Sequence, residues 1–362
     1  MRNKRCRSIG LTVVAAAAMI LWLTTCDDDG PTKPVPVKDY PVYFSAPLAS
    51  PPILFAFHPV AQRIDSAGIP WKPLFGVTVS ADGKRLYIPQ PTSVVVVDTD
   101  SLALIAELPY RPKWPVAVSP DNNLVAITGD DLYILRTSDY SLVYSDTDIT
   151  ENGHFSANSK AFYCAACWSP ECAGMAYRLD MSDTPFVASR QAFSDGGVVH
   201  VIPSSDEAKW FLYLTSLVSW GSVFEVYDVK ADSIIFQDLL YPGFGDMVLA
   251  PNEQHVFYTN PGNGLMIPGG IGFELTVFDV VANEIDTVIA DTAFFSDSNW
   301  VAPPNLLAVT PDSRWLTILG GSLGLYVLYL FDIPNQRLVF REDWGGVPNF
   351  HFLVGLSVQY AK

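Results

Sequence analysis

One short pattern recurs six times along this chain and limits its architecture more than any other feature. An apolar strand runs into a tight turn, which reads Ser80-Ala81-Asp82, Ser119-Pro120-Asp121, Ser156-Ala157-Asn158, Ser204-Ser205-Asp206, Ala250-Pro251-Asn252 and Thr310-Pro311-Asp312 in successive copies. A second strand follows, then a variable loop, a third strand that usually ends in Asp, and a fourth strand. In residues 74–108 the unit reads LFGVTVSADGKRLYIPQPTSVVVVDTDSLALIAEL. The turns lie 39, 37, 48, 46 and 60 residues apart, which brackets the period of a four-stranded unit with loop insertions.

The third strands include LYILR (132–136), MAYRLD (175–180), FEVYDV (224–229), LTVFDV (275–280) and LYLFDI (328–333). These short runs of Val, Ile, Tyr and Phe, bounded by Asp, Asn, Gly and Pro, are strand segments, and no sustained helical period competes with them. A lone four-stranded unit cannot bury both faces; stacking the units radially does. Residues 41–69 align with 85–108 and supply a second, third and fourth strand without a first, which 351–359 (HFLVGLSVQ) can provide. The expected fold is therefore all-β, a seven-bladed β-propeller over 39–362 closed by pairing of N- and C-terminal strands.

The segment SADGKRLYIPQPTSVVVVDTDSLALIAELP (80–109) resembles the YVTN-repeat β-propellers, and HVFYTNPG (255–262) echoes their unit again. The resemblance is good in the first copy, weaker in the second, fifth and sixth, and poor in the third and fourth. It implies a fold rather than an activity, because members include surface proteins, binding scaffolds and relatives of lactonases and dehydrogenase subunits.

Ahead of the repeats, Arg2, Lys4, Arg5 and Arg7 precede an apolar run from Ile9 to Leu23. That run is short for a bilayer span of about twenty residues and has the layout of an export leader. Leu23-Thr24-Thr25-Cys26 resembles a bacterial lipobox, with Thr25 where Gly, Ala or Ser is usual. The resemblance implies that 1–25 is removed, that Cys26 is acylated, and that the product is exported and held by lipid in the cell envelope. The alternative is an ordinary secretory leader. Residues 26–38 are acidic and Pro-rich with almost nothing apolar to bury, so a solvated tether is expected.

Without 1–25 the chain has 18 basic against 38 acidic residues, a formal charge of −20. Such a field repels nucleic acid, so no nucleic-acid partner is expected. Cys164, Cys167 and Cys172 fall in one segment. In an oxidising compartment a disulfide between Cys167 and Cys172 across a hairpin tip is the preferred reading. A redox pair of Cys164 with Cys167, and a metal site needing a further ligand, remain alternatives.

Catalytic signatures are missing from the sequence: no Gly-x-Ser-x-Gly, no His-Glu-x-x-His, no phosphate-binding Gly-rich loop with Lys. No cofactor is evident. In propellers of this family the first strands line the central channel, and counting back from each turn gives Trp114, Glu151, Asn152, His154, His200, Asp246 and Asn305. A ring of imidazole, carboxylate and amide groups could hold a polar ligand or a divalent metal there, although polar residues at strand starts are also ordinary. The longest loops between second and third strands carry Trp168, Trp220 and Met266, candidates for docking a protein partner. The expected function is a non-catalytic binding or scaffold module for a protein or small polar ligand, with membrane contact through the lipid. The alternative is a metal-assisted, lactonase-like hydrolase.

Overall fold

The computed structural model describes residues 7–10, 22–25, 38–46, 49, 51–74, 76–147, 149, 153–165, 175–193, 197–215, 222–240, 245–260, 273–291, 306–322, 325–345 and 354–358. The chain divides into two compact units, Met1–Lys38 and Asp39–Lys362. In the first, Arg7–Gly10 pairs antiparallel with Trp22–Thr25. Cys26 and the acidic stretch to residue 37 lie outside the described residues, among which no helix is long and apolar enough to cross a membrane.

The second unit is an all-β, seven-bladed propeller in which every blade is a four-stranded antiparallel sheet. Blade 1 comprises Thr78–Val79, Arg85–Pro89, Val94–Asp98 and Leu104–Leu108. Blade 2 comprises Ala117–Val118, Leu124–Thr128, Leu132–Arg136 and Leu142–Asp146, and blade 3 Gly153–Phe155, Ala161–Ala165, Met175–Asp180 and Val187–Ala192. Blade 4 comprises Gly197–Pro203, Lys209–Thr215, Ser222–Asp228 and Ser233–Leu240, and blade 5 Met247–Leu249, His255–Asn260, Phe273–Asp279 and Glu284–Asp291. Blade 6 runs through Leu306–Val309, Trp315–Ser322, Leu325–Asp332 and Arg337–Gly345. Blade 7 takes its first strand, Val354–Val358, from the end of the chain and its others, Val42–Ala46, Ile53–His58 and Arg63–Gly68, from the beginning. Each first strand touches the first strand of the next blade all the way round, so these strands form the wall of the central channel.

The core is seven apolar layers, each lying between two neighbouring blades. Phe44 and Phe57 of blade 7 pack with Leu328 and Leu330 of blade 6, while Tyr43 and Leu54 on the same strands pack with Leu86 and Val95 of blade 1. Both faces of a middle strand are thus covered, which is why Val94 to Val97 is apolar without alternation and buried throughout. The repeat's second-strand tyrosine, Tyr87, Tyr163, Tyr213 or Tyr258, is among the largest fully buried side chains. Burying each large apolar side chain contributes about 1.5–3 kcal/mol before entropy is counted.

The recurring turn is held by its own side chains. Ser80 Oγ donates to Asp82 Oδ1 at 2.6 Å and accepts the Arg85 N–H at 2.9 Å. The same pair of bonds is made by Ser119 with Asp121 and Leu124, by Ser204 with Asp206 and Lys209, and by Thr310 with Asp312 and Trp315. The turn's fourth residue takes a left-handed backbone: Gly83 at φ 72° in blade 1, then Asn122, Ser159, Glu207, Glu253 and Ser313. From blade 2 to blade 6 that residue's side chain reaches back to the preceding blade's turn. Asn122 accepts the Ala81 N–H, Ser159 Oγ the Asp121 N–H, and Ser313 Oγ the Asn252 N–H, while Glu207 takes a bond from Asn158 Nδ2 and Glu253 two bonds from Ser205. Blade 1 follows blade 7, whose first and second strands come from opposite ends of the chain, so there is no such turn behind Gly83 to clasp.

Candidate channel-mouth site

Three of the residues counted back from the turns meet on successive first strands. His154 is in the middle of Gly153–Phe155 on blade 3, His200 is in Gly197–Pro203 on blade 4, and Asp246 immediately precedes Met247–Leu249 on blade 5. The His154 and His200 ring centroids are 6.4 Å apart, and His200 Nε2 stands 3.9 Å from Asp246 Oδ1. The side chains of His200 and Asp246 each keep 17 % of their surface open.

Local irregularities set this arrangement. The pairing of blade 4's first two strands shifts register between Val198 and His200, and such a bulge re-aims the side chain that follows it. His200 then pairs with Tyr213, and the two rings meet edge to face at 6.5 Å. Two glycines stand just before the site residues. A Cβ on Gly153 would fall 2.4 Å from the Phe162 ring, and one on Gly245 2.3 Å from the Thr259 carbonyl oxygen. The close approach lets Gly245 N–H donate to Tyr213 Oη at 3.2 Å, tying blade 5 to blade 4 beside the carboxyl. Asp246 N–H donates to Thr259 Oγ1 at 2.9 Å, and its carbonyl accepts the Thr259 N–H at 3.0 Å. Its carboxyl oxygens accept the Met247 N–H at 2.8 Å and, from blade 6, the Leu307 N–H at 2.7 Å.

Burial dominates the electrostatics. It pushes Asp246 up to about 7, against the two backbone N–H groups that favour the anion. It pulls both imidazoles down to about 4, with the neighbouring His200 adding to the effect on His154. Near neutral pH both rings are therefore uncharged and the carboxyl is poised near half ionisation. His154 Nε2 and His200 Nδ1 are buried without a hydrogen-bond partner. Among the described residues no three His, Cys, Asp or Glu side chains converge closely enough to hold a metal ion.

Trp114 is half-buried on blade 2, just ahead of Ala117–Val118. Glu151, Asn152 and Asn305 lie outside the described residues, as do Cys167, Cys172, Trp168, Trp220 and Met266. Cys164 carries a buried thiol in blade 3. Counting from the turns did not reveal Tyr213, Gly245, Thr259 or the Leu307 amide; the one sequence signal for this packing is a glycine directly before both His154 and Asp246.

No known family profile matches the chain, and no curated protein matches it. Solved structures do. The chain is similar to hydrazine synthase from Kuenenia stuttgartiensis at 18% identity and TM-score 0.57, over 74% of this chain and 85% of that one. It is similar to a putative 6-phosphogluconolactonase from Bacteroides fragilis at 11% identity and TM-score 0.62, over 90% and 99% of the two chains. A functionally unknown protein from Desulfotomaculum acetoxidans matches at 11% identity and TM-score 0.59, over 90% and 100%. At such identities the likeness establishes the propeller fold alone.

Proposed function

We propose that this chain is an exported, lipid-anchored binding propeller whose ligand sits against His154, His200 and Asp246. The observation that carries the reading is the convergence of these polar groups from three successive blades, at the channel wall, with imidazole nitrogens left unpaired. Buried polar atoms are nearly always satisfied, so two orphaned ring nitrogens beside a buried carboxyl mark a polar site that a ligand can occupy. The leader and the lipobox-like Leu23-Thr24-Thr25-Cys26 support the anchor. Trp168, Trp220 and Met266 extend the proposal to a protein partner on the loop-bearing face.

One observation favours a hydrolase instead. A carboxyl poised near 7 beside an imidazole is suited to proton transfer. The metal-assisted form of that reading needs further ligands from residues such as Glu151 and Asn152.

The test is a thermal-shift screen of the full-length protein in detergent against small polar molecules and divalent metals, repeated with His200→Phe. Stabilisation by a compound that the variant has lost supports the binding site. Stabilisation that never depends on His200 or Asp246 removes it, and turnover of a lactone or ester abolished in Asp246→Asn moves the assignment to the hydrolase. In cells, Cys26→Ser should abolish labelling by a radioactive fatty acid. Replacing Trp168, Trp220 and Met266 with Ser should leave the melting temperature nearly unchanged while weakening capture of a partner; unfolding would identify them as core residues.

A further inference from the structure

Asp246 is a carboxyl group set into a protein wall with no Lys or Arg paired to it among the described residues. Its two oxygens each take one backbone N–H, leaving lone pairs unused. Among the described residues its one ionisable partner in ion-pair range is His200 at 3.9 Å, a ring that burial keeps neutral. Buried charges in folded proteins are as a rule paired or coordinated. The groups around it sharpen the point. Blade 4 presents His200 and Tyr213, blade 3 contributes His154 beyond them, and blade 6 offers the Leu307 N–H. The described wall thus supplies lone pairs and ring faces without a Lys or Arg, in a chain of net charge −16 whose field draws cations inward.

A metal would need its ligand atoms within about 2.0–2.2 Å of one centre. The described side chains do not converge in that way. An ammonium group asks less of them. Hydrogen bonds of about 2.8–3.0 Å allow one –NH₃⁺ to reach two acceptors that lie 3.9 Å apart, and aromatic faces add to the attraction.

We infer that the channel wall at blades 3 to 5 is a receptor for a small organic ammonium ion, with Asp246 as counter-ion, His200 Nε2 as second acceptor and the His154 ring alongside. This rests on the reading of the cluster as a ligand site and adds the charge and class of the ligand. Because the carboxyl must ionise to take the cation, binding releases a proton, and affinity strengthens as pH rises toward and past 7.

Isothermal titration calorimetry of the full-length protein in detergent tests this, with methylammonium and putrescine as probes and zinc and D-glucose as comparisons. The expected result is ammonium binding that tightens from about pH 6 to about pH 8, with proton release seen as a buffer-dependent heat. Asp246→Asn should weaken it about thirtyfold or more, with unchanged circular dichroism, and His200→Phe should weaken it less. Ammonium binding that Asp246→Asn leaves intact, or that is independent of pH, overturns the inference. If neither amine binds but zinc or glucose does so in a His200-dependent way, the ligand-site reading stands and the ammonium class falls. If no probe depends on His200 or Asp246, both fall.

Discussion

Glu253 of blade 5 accepts two hydrogen bonds from Ser205 of blade 4, one from its backbone N–H at 2.5 Å and one from its hydroxyl at 2.8 Å. It does so from a left-handed backbone at φ 55°, a conformation that costs an L-residue about 1 kcal/mol and that the clasp offsets. Glu253→Ala keeps the backbone cost and removes the clasp, so urea unfolding should show a loss of about 1 kcal/mol. Gly83→Asn occupies the same turn position in blade 1, where no turn lies behind it, and Asn tolerates φ 72°. Its effect should stay within about 0.5 kcal/mol. An unchanged stability in Glu253→Ala would show that the clasps do not stabilise the ring.

The turns, the third strands and the split seventh blade were legible because they repeat: Ser-Pro-Asp chemistry and the Leu-Tyr or Phe-Tyr second strand are local signals that recur at one period. The clasps were not legible, since Asn122 and Ala81 are 41 residues apart and the bond depends on how neighbouring blades stack. Counting back from the turns placed His154, His200 and Asp246 at the channel wall. It could not foresee the register shift between Val198 and His200, because a bulge is decided by packing rather than by strand propensity. Nor could it foresee that Gly153 and Gly245 are required by contacts with Phe162 and Thr259.

Asp246 predicts a particular dependence of stability on pH. Its folded value of about 7 lies above the ordinary 3.8, so the folded state holds this proton more tightly than the unfolded state. Its contribution is therefore most favourable at low pH and is lost as pH rises from about 4 to about 7. Asp246→Asn cannot ionise. Relative to wild type, the variant should gain on the order of 2 kcal/mol between pH 5 and pH 8, measured by urea unfolding at each pH, whatever constant offset the lost backbone bond introduces. A pH-independent difference would show that the carboxyl is not buried as described.

The histidines act in the opposite direction. Burial lowers both to about 4 from an ordinary 6.5, so the unfolded chain takes up protons that the folded ring refuses. Stability from this source is complete above about 6.5 and is lost as pH falls through about 4. His154→Phe removes one titrating group from the wall and fills a similar space. The acid limb of the melting-temperature profile should become shallower in the variant, and an unchanged limb would assign acid unfolding to other groups.

Closure of the ring gives the last prediction. Val354–Val358 pairs with Val42–Ala46, whose Val42 and Phe44 are fully buried against blade 6. Deleting 351–362 leaves blade 7 with three strands and gives Val42–Ala46 an unpaired, apolar inner edge. Such an edge invites pairing with another chain, so the truncated protein should aggregate or lose most of its stability. Loss of these twelve residues could act through the missing strand itself or by unlocking the two ends of the chain, and a rearranged chain separates the two explanations. Moving 351–362 ahead of residue 39 through a flexible linker keeps every strand but makes blade 7 contiguous. If the closing strand matters through its pairing, this chain should fold and melt cooperatively near the wild-type temperature. If stability depends on the two ends of the chain being locked together within one blade, it should unfold at a clearly lower temperature, because the seam between blades 6 and 7 is then held by side-chain packing alone.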